Sequence, residues 1–554
     1  MGFIFAIWLF SSQTLFAKDR IQIDSFEYRG PDAEKWIADG FRDTVTVQLG
    51  QISSIETITT EDQHRALQLI AERRKAGEEI DIQKEVARIL EADFICRGSI
   101  INGSEIQVNL QLLKGPDFRV YRTAMVPVKK EEIPRGWDIA VVRLLGEINA
   151  EVPESERQHI SIPPTERREA YEAYSRGLAL FRINPGQALL FFTRALQLDP
   201  QFSDAALRAA QVNETLGNYD EAIRLFNQRM MLLEKANQKN SPAYGAALSG
   251  LGGVCDSRGE YRLAVSYYKQ DIAILEASGR TETSAYAGTL NNLAVSYRNL
   301  GDTASAMENY RKALAVRERI DQTKTPGYAA GLQGIGSVYF TTGDLDRALD
   351  YSTKAARLLK EDLRLDGTSL YASTLHGIAT ILTGQRKYDE ALPFFIKANE
   401  IRKTLGLDST DEFSNTLAGI GRIYYAKSRF DEALRQFAQA KAIKERLRLE
   451  NTPGYASVLG GIGGIYLKQE KVQEALALFE QAGGIYQKLG LDGVLEYADI
   501  LSSIAIIYYE KLNNPCRAKT EMGRVLVIYR RLERPDIGPR QQFFDKLTGE
   551  CRAP

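Results

Sequence analysis

Histidine is nearly missing from this chain: His64, His159 and His376 are the only three in 554 residues, and they lie far apart. No paired-histidine zinc helix, no closely spaced cysteine pair and no Walker-type phosphate loop accompanies them. The usual metal and nucleotide chemistries therefore have no motif to stand on, and the expectation is a non-enzyme without cofactor. An excess of one charge is missing too. The 71 basic residues are matched by 72 acidic ones, which argues against non-specific nucleic-acid binding as a main task.

What is present is repetition. Tyr244, Tyr286, Tyr328, Tyr371, Phe413, Tyr455 and Tyr497 follow one another at spacings of 42, 42, 43, 42, 42 and 42 residues, the signature of a solenoid. Within each unit apolar and small residues recur at helical spacing twice. Tyr286, Leu290, Leu293, Ala294 and Tyr297 form one stripe, and Ala306, Tyr310, Ala313 and Leu314 the next, with Gly301-Asp302 as the turn. Each unit is therefore a helix pair. Ser241-Pro242, Thr325-Pro326 and Thr452-Pro453 precede first helices as cap and first-turn residues.

Small residues recur where two helices would otherwise collide, as at Gly252, Ala294 and Gly336 in first helices and Ala264, Ala306 and Ala348 in second helices. A large aromatic follows four residues after the second small residue (Tyr268, Tyr310, Phe395, Phe437, Phe479), but Ser352 and Gly523 break the rule, so those two junctions are expected to pack differently. Glycines beside the small positions, Gly250, Gly334, Gly377, Gly419 and Gly461, each cost about 1 kcal/mol of helix propensity relative to Ala. Either tight helix crossing or a side-chain-free floor for a ligand backbone compensates.

This order of small, glycine, aromatic and alanine positions resembles the tetratricopeptide repeat, in the 42-residue variety of kinesin light chains. Two shorter units precede the seven, one marked by Gly177, Ala188, Phe192, Ala195 and Pro200, the next by Ala210, Gly217, Tyr219, Ala222 and Phe226. The resemblance implies nine repeats over 166–538, coiled as an all-α right-handed superhelical solenoid, with 539–554 as a capping helix and tail.

Residues 20–149 read differently. Ile21–Phe26 alternates as a strand, Trp36–Leu49 is an amphipathic helix, and Ile52–Ile58 is a second strand. Helices are expected over 63–74, 81–90 and 137–148, and strands over 93–101, 105–113 and 119–126, with Asn102-Gly103 as a hairpin turn. Gly98-Ser99 reads as a tight strand junction rather than a site. The expected fold is a small α/β domain over 18–150 joined by a Pro-bearing linker, 151–165, to the solenoid. Ile21–Phe26, the helix with Ala38-Asp39-Gly40-Phe41, and Ala87 through Ser99 resemble the TolB amino-terminal-like domain, whose members serve mainly as interaction or regulatory modules.

Met1–Ala17 carries no charged side chain and is too short for a comfortable membrane span. It reads as a signal peptide that lacks a basic start, which predicts an exported, periplasmic protein; membrane contact is expected only if it stays uncleaved. Export gives the four cysteines meaning. Cys96 and Cys255 read as buried small hydrophobes. A return of the chain through Phe543, Phe544 and Leu547 would set Cys551 beside Cys516, where a disulfide is one reading and two free thiols the other.

The resemblance also implies a groove lined by first helices. Carrying over its inward positions selects Asn291, Arg298 and Asn299 in repeat 4, Gln333 in repeat 5, His376 in repeat 6, Arg422 and Tyr425 in repeat 7, and Lys468 in repeat 8. Acids stand toward the ends: Asp256, Asp499 and Glu510. The partner so implied is a protein or peptide segment, acidic or carboxylate-terminated, and the function a cell-envelope interaction scaffold. A signalling regulator that relays a state to a membrane or transcriptional partner is the alternative. A polymer-binding protein would need an aromatic row, and only Tyr425 and Phe340 stand at inward positions.

Overall fold

The structure is a computed structural model that describes residues 19–551 except 25, 50–51, 53–54, 58–80, 90–91, 116, 134, 148–164 and 182–183. The leader expected over 1–17, the helix expected over 63–74, His64, His159 and nearly all of the expected linker lie outside the described residues. Two compact units divide the chain, Met1–Phe202 and Ser203–Pro554.

The first unit is built on a mixed sheet of six strands: β1 (Asp19–Ile23), β2 (Glu27–Arg29), β3 (Ile55–Thr57), β4 (Phe94–Asn102), β5 (Ile106–Lys114) and β6 (Arg119–Val128). The order is β3-β1-β4-β5-β6, with β2 also on β4. β1 runs parallel to β3 and β4, whereas β4, β5 and β6 form an antiparallel meander. The short β2, unforeseen in the sequence, prolongs the line of β1 along β4 after a break. Gly98 lies inside β4 opposite Leu110 and is no strand junction; a Cβ there would meet the Asn109 carbonyl oxygen at 1.8 Å. Helices α1 (Trp36–Leu49), α2 (Ile82–Ile89) and α3 (Arg135–Glu147) complete the α/β part.

The first helix pair belongs to this unit as well. Tyr171 is fully buried, donates its hydroxyl to the Gly40 carbonyl at 2.6 Å and lies 2.5 Å from Thr44 Oγ1. Arg168 pairs with Glu34 at 3.0 Å, and Arg176 donates to the Ala33 carbonyl. Gly40 in α1 is the residue that lets the pair approach, since a Cβ would meet Ser175 Oγ at 2.4 Å.

Among the described residues nine helix pairs follow one another, over 168–198, 203–235, 242–277, 284–319, 326–357, 369–404, 411–446, 453–488 and 495–531, here repeats 1 to 9. The phase-marking aromatics owe their regularity to capping. Ser241, Thr283, Thr325, Thr368, Thr410 and Thr452 each accept a bond from the backbone N–H of the aromatic three residues on, at 3.2–3.4 Å, satisfying a donor that a helix start leaves open. The hydroxyls of Tyr244, Tyr286, Tyr328 and Tyr455 then donate to the glutamate ten residues back, Glu234, Glu276, Glu318 and Glu445, at 2.8–2.9 Å. Phe413 has no hydroxyl to give, and the residue ten back is Lys403, whose ammonium lies 5.9 Å from the ring centroid.

The single 43-residue spacing has a physical cause. Its extra residue is taken up in a π-helical turn, Leu358–Asp362, at the end of the second helix of repeat 5, the usual way a helix absorbs one inserted residue.

Aromatic-on-glycine packing joins the repeats. A Cβ on Gly250, Gly334, Gly419 or Gly461 would stand 2.1–2.6 Å from the ring of Phe226, Tyr310, Phe395 or Phe437 in the preceding repeat. Tight crossing therefore explains these four glycines. Gly377 is the exception: its nearest neighbour would be Gln333 Nε2 at 3.4 Å, because Ser352 stands where a ring would be. At the other exception the residue four beyond Ala518 is the buried Met522 rather than an aromatic, and beside it, at Gly523, Phe544 of the last helix (Gly538–Glu550) comes to 3.4 Å of a Cβ. Leu547 of that helix is fully buried, and Cys551, just beyond its end, is disulfide-bonded to Cys516 with Cα atoms 4.8 Å apart. Cys96 and Cys255 are free and buried.

Candidate binding groove

The residues selected from the sequence stand on the first helices of repeats 4 to 8, and several of them are engaged with the next repeat. Gln333 donates to the Ser373 carbonyl at 3.2 Å and accepts from Thr374 Oγ1 at 3.2 Å. His376 Nδ1 lies 3.0 Å from Thr416 Oγ1, and Arg422 donates to Ser457 Oγ at 3.3 Å. Arg298 instead donates to Asn299 Oδ1 on its own helix, at 2.9 Å. Asn291 keeps a buried Oδ1 without a hydrogen-bond partner. Tyr425 stacks at a tilt on Phe430, with ring centroids 5.8 Å apart, and Lys468 is exposed.

The surroundings of His376 define its protonation. Thr416 Oγ1 donates to the Glu412 carbonyl and accepts from Arg402 Nη1 at 2.7 Å. Burial, reinforced by the Arg402 and Arg422 charges, depresses the imidazole pKa to about 3, so the ring is neutral at any ordinary pH. Arg402, only 2% exposed, also donates to Ser373 Oγ at 3.2 Å. Sequence reasoning missed it because it sits on a second helix.

Two acidic stations flank this cationic centre. Glu214 and Asp256 occupy equivalent positions in repeats 2 and 3. Burial is the main cause that lifts Glu214 to about 7, with the Asp256 charge adding to it. Asp256 is lifted to about 6 by burial, against hydrogen bonds from Ser296 (2.7 Å) and Tyr268 (3.1 Å) and the nearby Arg298 charge. Asp499 in repeat 9 is likewise raised to about 6, by burial first and then by Glu496 one helical turn away. Arg422 lies within electrostatic reach of both Glu496 and Asp499, while burial lowers its pKa. Glu214 was legible only as a member of a column, since Glu214, Asp256 and Arg298 recur at intervals of 42.

Although enough protein surrounds Arg422 and Asp499 to shift their titration, their side chains, like those of Lys468 and Glu496, keep solvent access, so charge of both signs is offered by first helices of repeats 7 to 9. Among the described residues no group of three or more His, Cys, Asp or Glu could hold a metal ion, and no helix is long and apolar enough to cross a membrane.

Two tetratricopeptide repeat profiles match the chain, one over 202–277, 286–361, 370–446 and 411–488, the other over 169–230. Together they span more than half of its length. The chain belongs to the tetratricopeptide repeat family. Solved structures similar to it include a Rap protein complexed with competence and sporulation factor, 14% identical, covering 69% of this chain and all of that one with a TM-score of 0.48. BtubC from P. vanneervenii is 19% identical over 42% of this chain and 92% of its own, with a TM-score of 0.32. Kinesin-light-chain-like repeats from Podosopora anserina are 19% identical over 37% of this chain and 97% of theirs, with a TM-score of 0.30. No curated protein matches. The family places this tetratricopeptide repeat protein in a fold for protein interaction, built here on helix pairs with a sheet-bearing unit before them.

Proposed function

We propose that this protein is a non-catalytic scaffold of the bacterial cell envelope that holds polypeptide segments along the first helices of repeats 4 to 9. The observation that carries the reading is the exposed set Arg422, Lys468, Glu496 and Asp499: charges on rigid helices, with geometry set by repeat packing, suit the side chains and termini of an extended segment. Arg422 and Lys468 suit carboxylates. Glu496 and Asp499 beside them favour a ligand that presents a basic group as well, which departs from a wholly acidic partner. The Cys516–Cys551 disulfide supports an oxidising compartment and hence export, and the resemblance of the first unit to the TolB amino-terminal-like domain supports the envelope.

The test is cross-linking with mass spectrometry in fractionated native cells, comparing wild type with an Arg298→Ala, Arg422→Ala, Lys468→Ala triple variant. Envelope partners that disappear in the variant are expected. Partners that persist unchanged would move binding to the sheet-bearing unit or the convex face, and a wholly cytoplasmic protein would end the export reading.

A further inference from the structure

In repeats 2 to 9 the turn between the two helices places one residue in the left-handed region. In repeats 2 to 5 that residue is glycine: Gly217, Gly259, Gly301 and Gly343, with φ from 78° to 90°. In repeats 6 to 8 it is Arg386, Ser428 and Glu470, with φ from 59° to 62°. Left-handed backbone alone therefore does not demand glycine here, since three ordinary residues bear its strain.

What separates the two sets is a neighbour far along the chain, five repeats on for Gly217, Gly259 and Gly301 and in the segment after repeat 9 for Gly343. A Cβ on Gly217 would meet Leu447 at 2.9 Å; on Gly259, Pro453 at 2.9 Å; on Gly301, Arg531 Nη2 at 3.2 Å; on Gly343, Pro535 at 3.0 Å. Gly279 and Gly406, at turns between repeats, meet nothing within 4 Å, so their glycines lack this cause. Arginines reach across the same line. Arg262 donates to the Gly490 carbonyl at 3.4 Å, Arg531 to Leu300 at 3.4 Å, and Arg534 to Phe340 and Thr341 at 3.2 and 3.0 Å. Leu300, Phe340 and Thr341 sit at the carbonyl-rich ends of first helices, where a cation is favoured. Tyr261 adds its ring to the apolar cluster of repeats 8 and 9.

We infer that repeats 2 to 5 and repeats 7 to 9 form a seam, at which the superhelix closes on itself after one turn. Turns of repeats 6 to 8 have no later repeat to meet, and there the glycine is dispensed with. Resting on the groove reading above, the seam makes the groove a bore rather than an open trough. The ligand class that suits such a bore is an extended polypeptide segment threaded along it.

The seam can be tested without any ligand. Arg262→Cys, whose native side chain reaches the Gly490 carbonyl, is combined with Leu489→Cys and treated with a short bis-maleimide, and the linked peptides are mapped by mass spectrometry, with Ser428→Cys and Leu489→Cys as the control pair. An intramolecular 262–489 link is expected, at a yield at least tenfold above the control. Equal yields would overturn the seam and leave the groove reading standing. A second arm replaces Gly343 or Ser428 by Leu. Faster hydrogen exchange at 531–537 is expected from Gly343→Leu alone, and no difference between the two would again overturn the seam. Partner contacts found for the wild-type groove should fall in an unstructured segment; contacts spread over a folded domain would remove the bore while leaving the seam intact.

Discussion

Two neighbouring junctions of the solenoid fill the same space by different physics. Between repeats 4 and 5 the fully buried Tyr310 ring lies on Gly334, and volume does the joining. Between repeats 5 and 6 Ser352 leaves no ring, and Gln333 bridges instead to Ser373 and Thr374. The same stretch holds the extra residue of the repeat series, in its π-helical turn. Packing fixes a junction by shape from many weak contacts, whereas a polar bridge holds it by a few directed bonds and leaves Gly377 uncovered.

Truncation should separate the two most strongly. Tyr310→Ala is expected to cost about 3–5 kcal/mol, as large buried aromatics do, and Ser352→Ala less than about 1.5 kcal/mol, the net worth of an ordinary hydrogen bond. Urea unfolding followed by far-UV circular dichroism measures both; equal costs would show that the junctions do not differ in kind.

Adding one methyl group should split them in sign. Gly334→Ala forces its Cβ into Tyr310 and should lose about 1–3 kcal/mol to overpacking. Gly377→Ala, with only Gln333 Nε2 at 3.4 Å, should gain up to about 1 kcal/mol of helix propensity. A destabilised Gly377→Ala in the same unfolding assay would mean that the polar junction is as tightly filled as the aromatic one.

The smallest effect concerns charge. Glu214, raised from 4.5 to about 7, binds its proton more tightly folded than unfolded, so its contribution is present at low pH and is lost as pH rises through that window. His376, lowered from 6.5 to about 3, works the other way: its contribution is present above about 6.5 and lost on acidification. Urea midpoints at pH 5 and pH 8 should therefore show Glu214→Gln gaining more at pH 8 and His376→Asn gaining more at pH 5. The reverse ranking would show that the half-buried acid and imidazole are hydrated in the folded protein.

Much of the architecture was open to reading before any coordinates. The helix over Trp36–Leu49 appears with the expected bounds, because an apolar stripe and its boundaries are local properties. The helix pairs follow from the 42-residue period for the same reason. β2 was not legible, being three residues long and recognisable only by its pairing with β4. Nor were the hydrogen bonds of the groove residues, since Gln333, His376 and Arg422 reach partners 35 to 41 residues away. Lys403 facing Phe413 was a signal the sequence did carry, as a departure from the glutamate–tyrosine spacing in four other repeats.

By itself the sequence determined what depends on neighbours along the chain: which segments are helical, where hydroxyl caps start them, and that the units repeat. The tertiary structure alone decided which glycines are packed and which are bare, which charges are desolvated together, and which turns meet across the superhelix. The physical reason lies in how small rotations add. Each repeat sets only its relation to the next, and whether Gly217 meets Leu447 depends on the sum of five such steps, which no single unit of sequence contains.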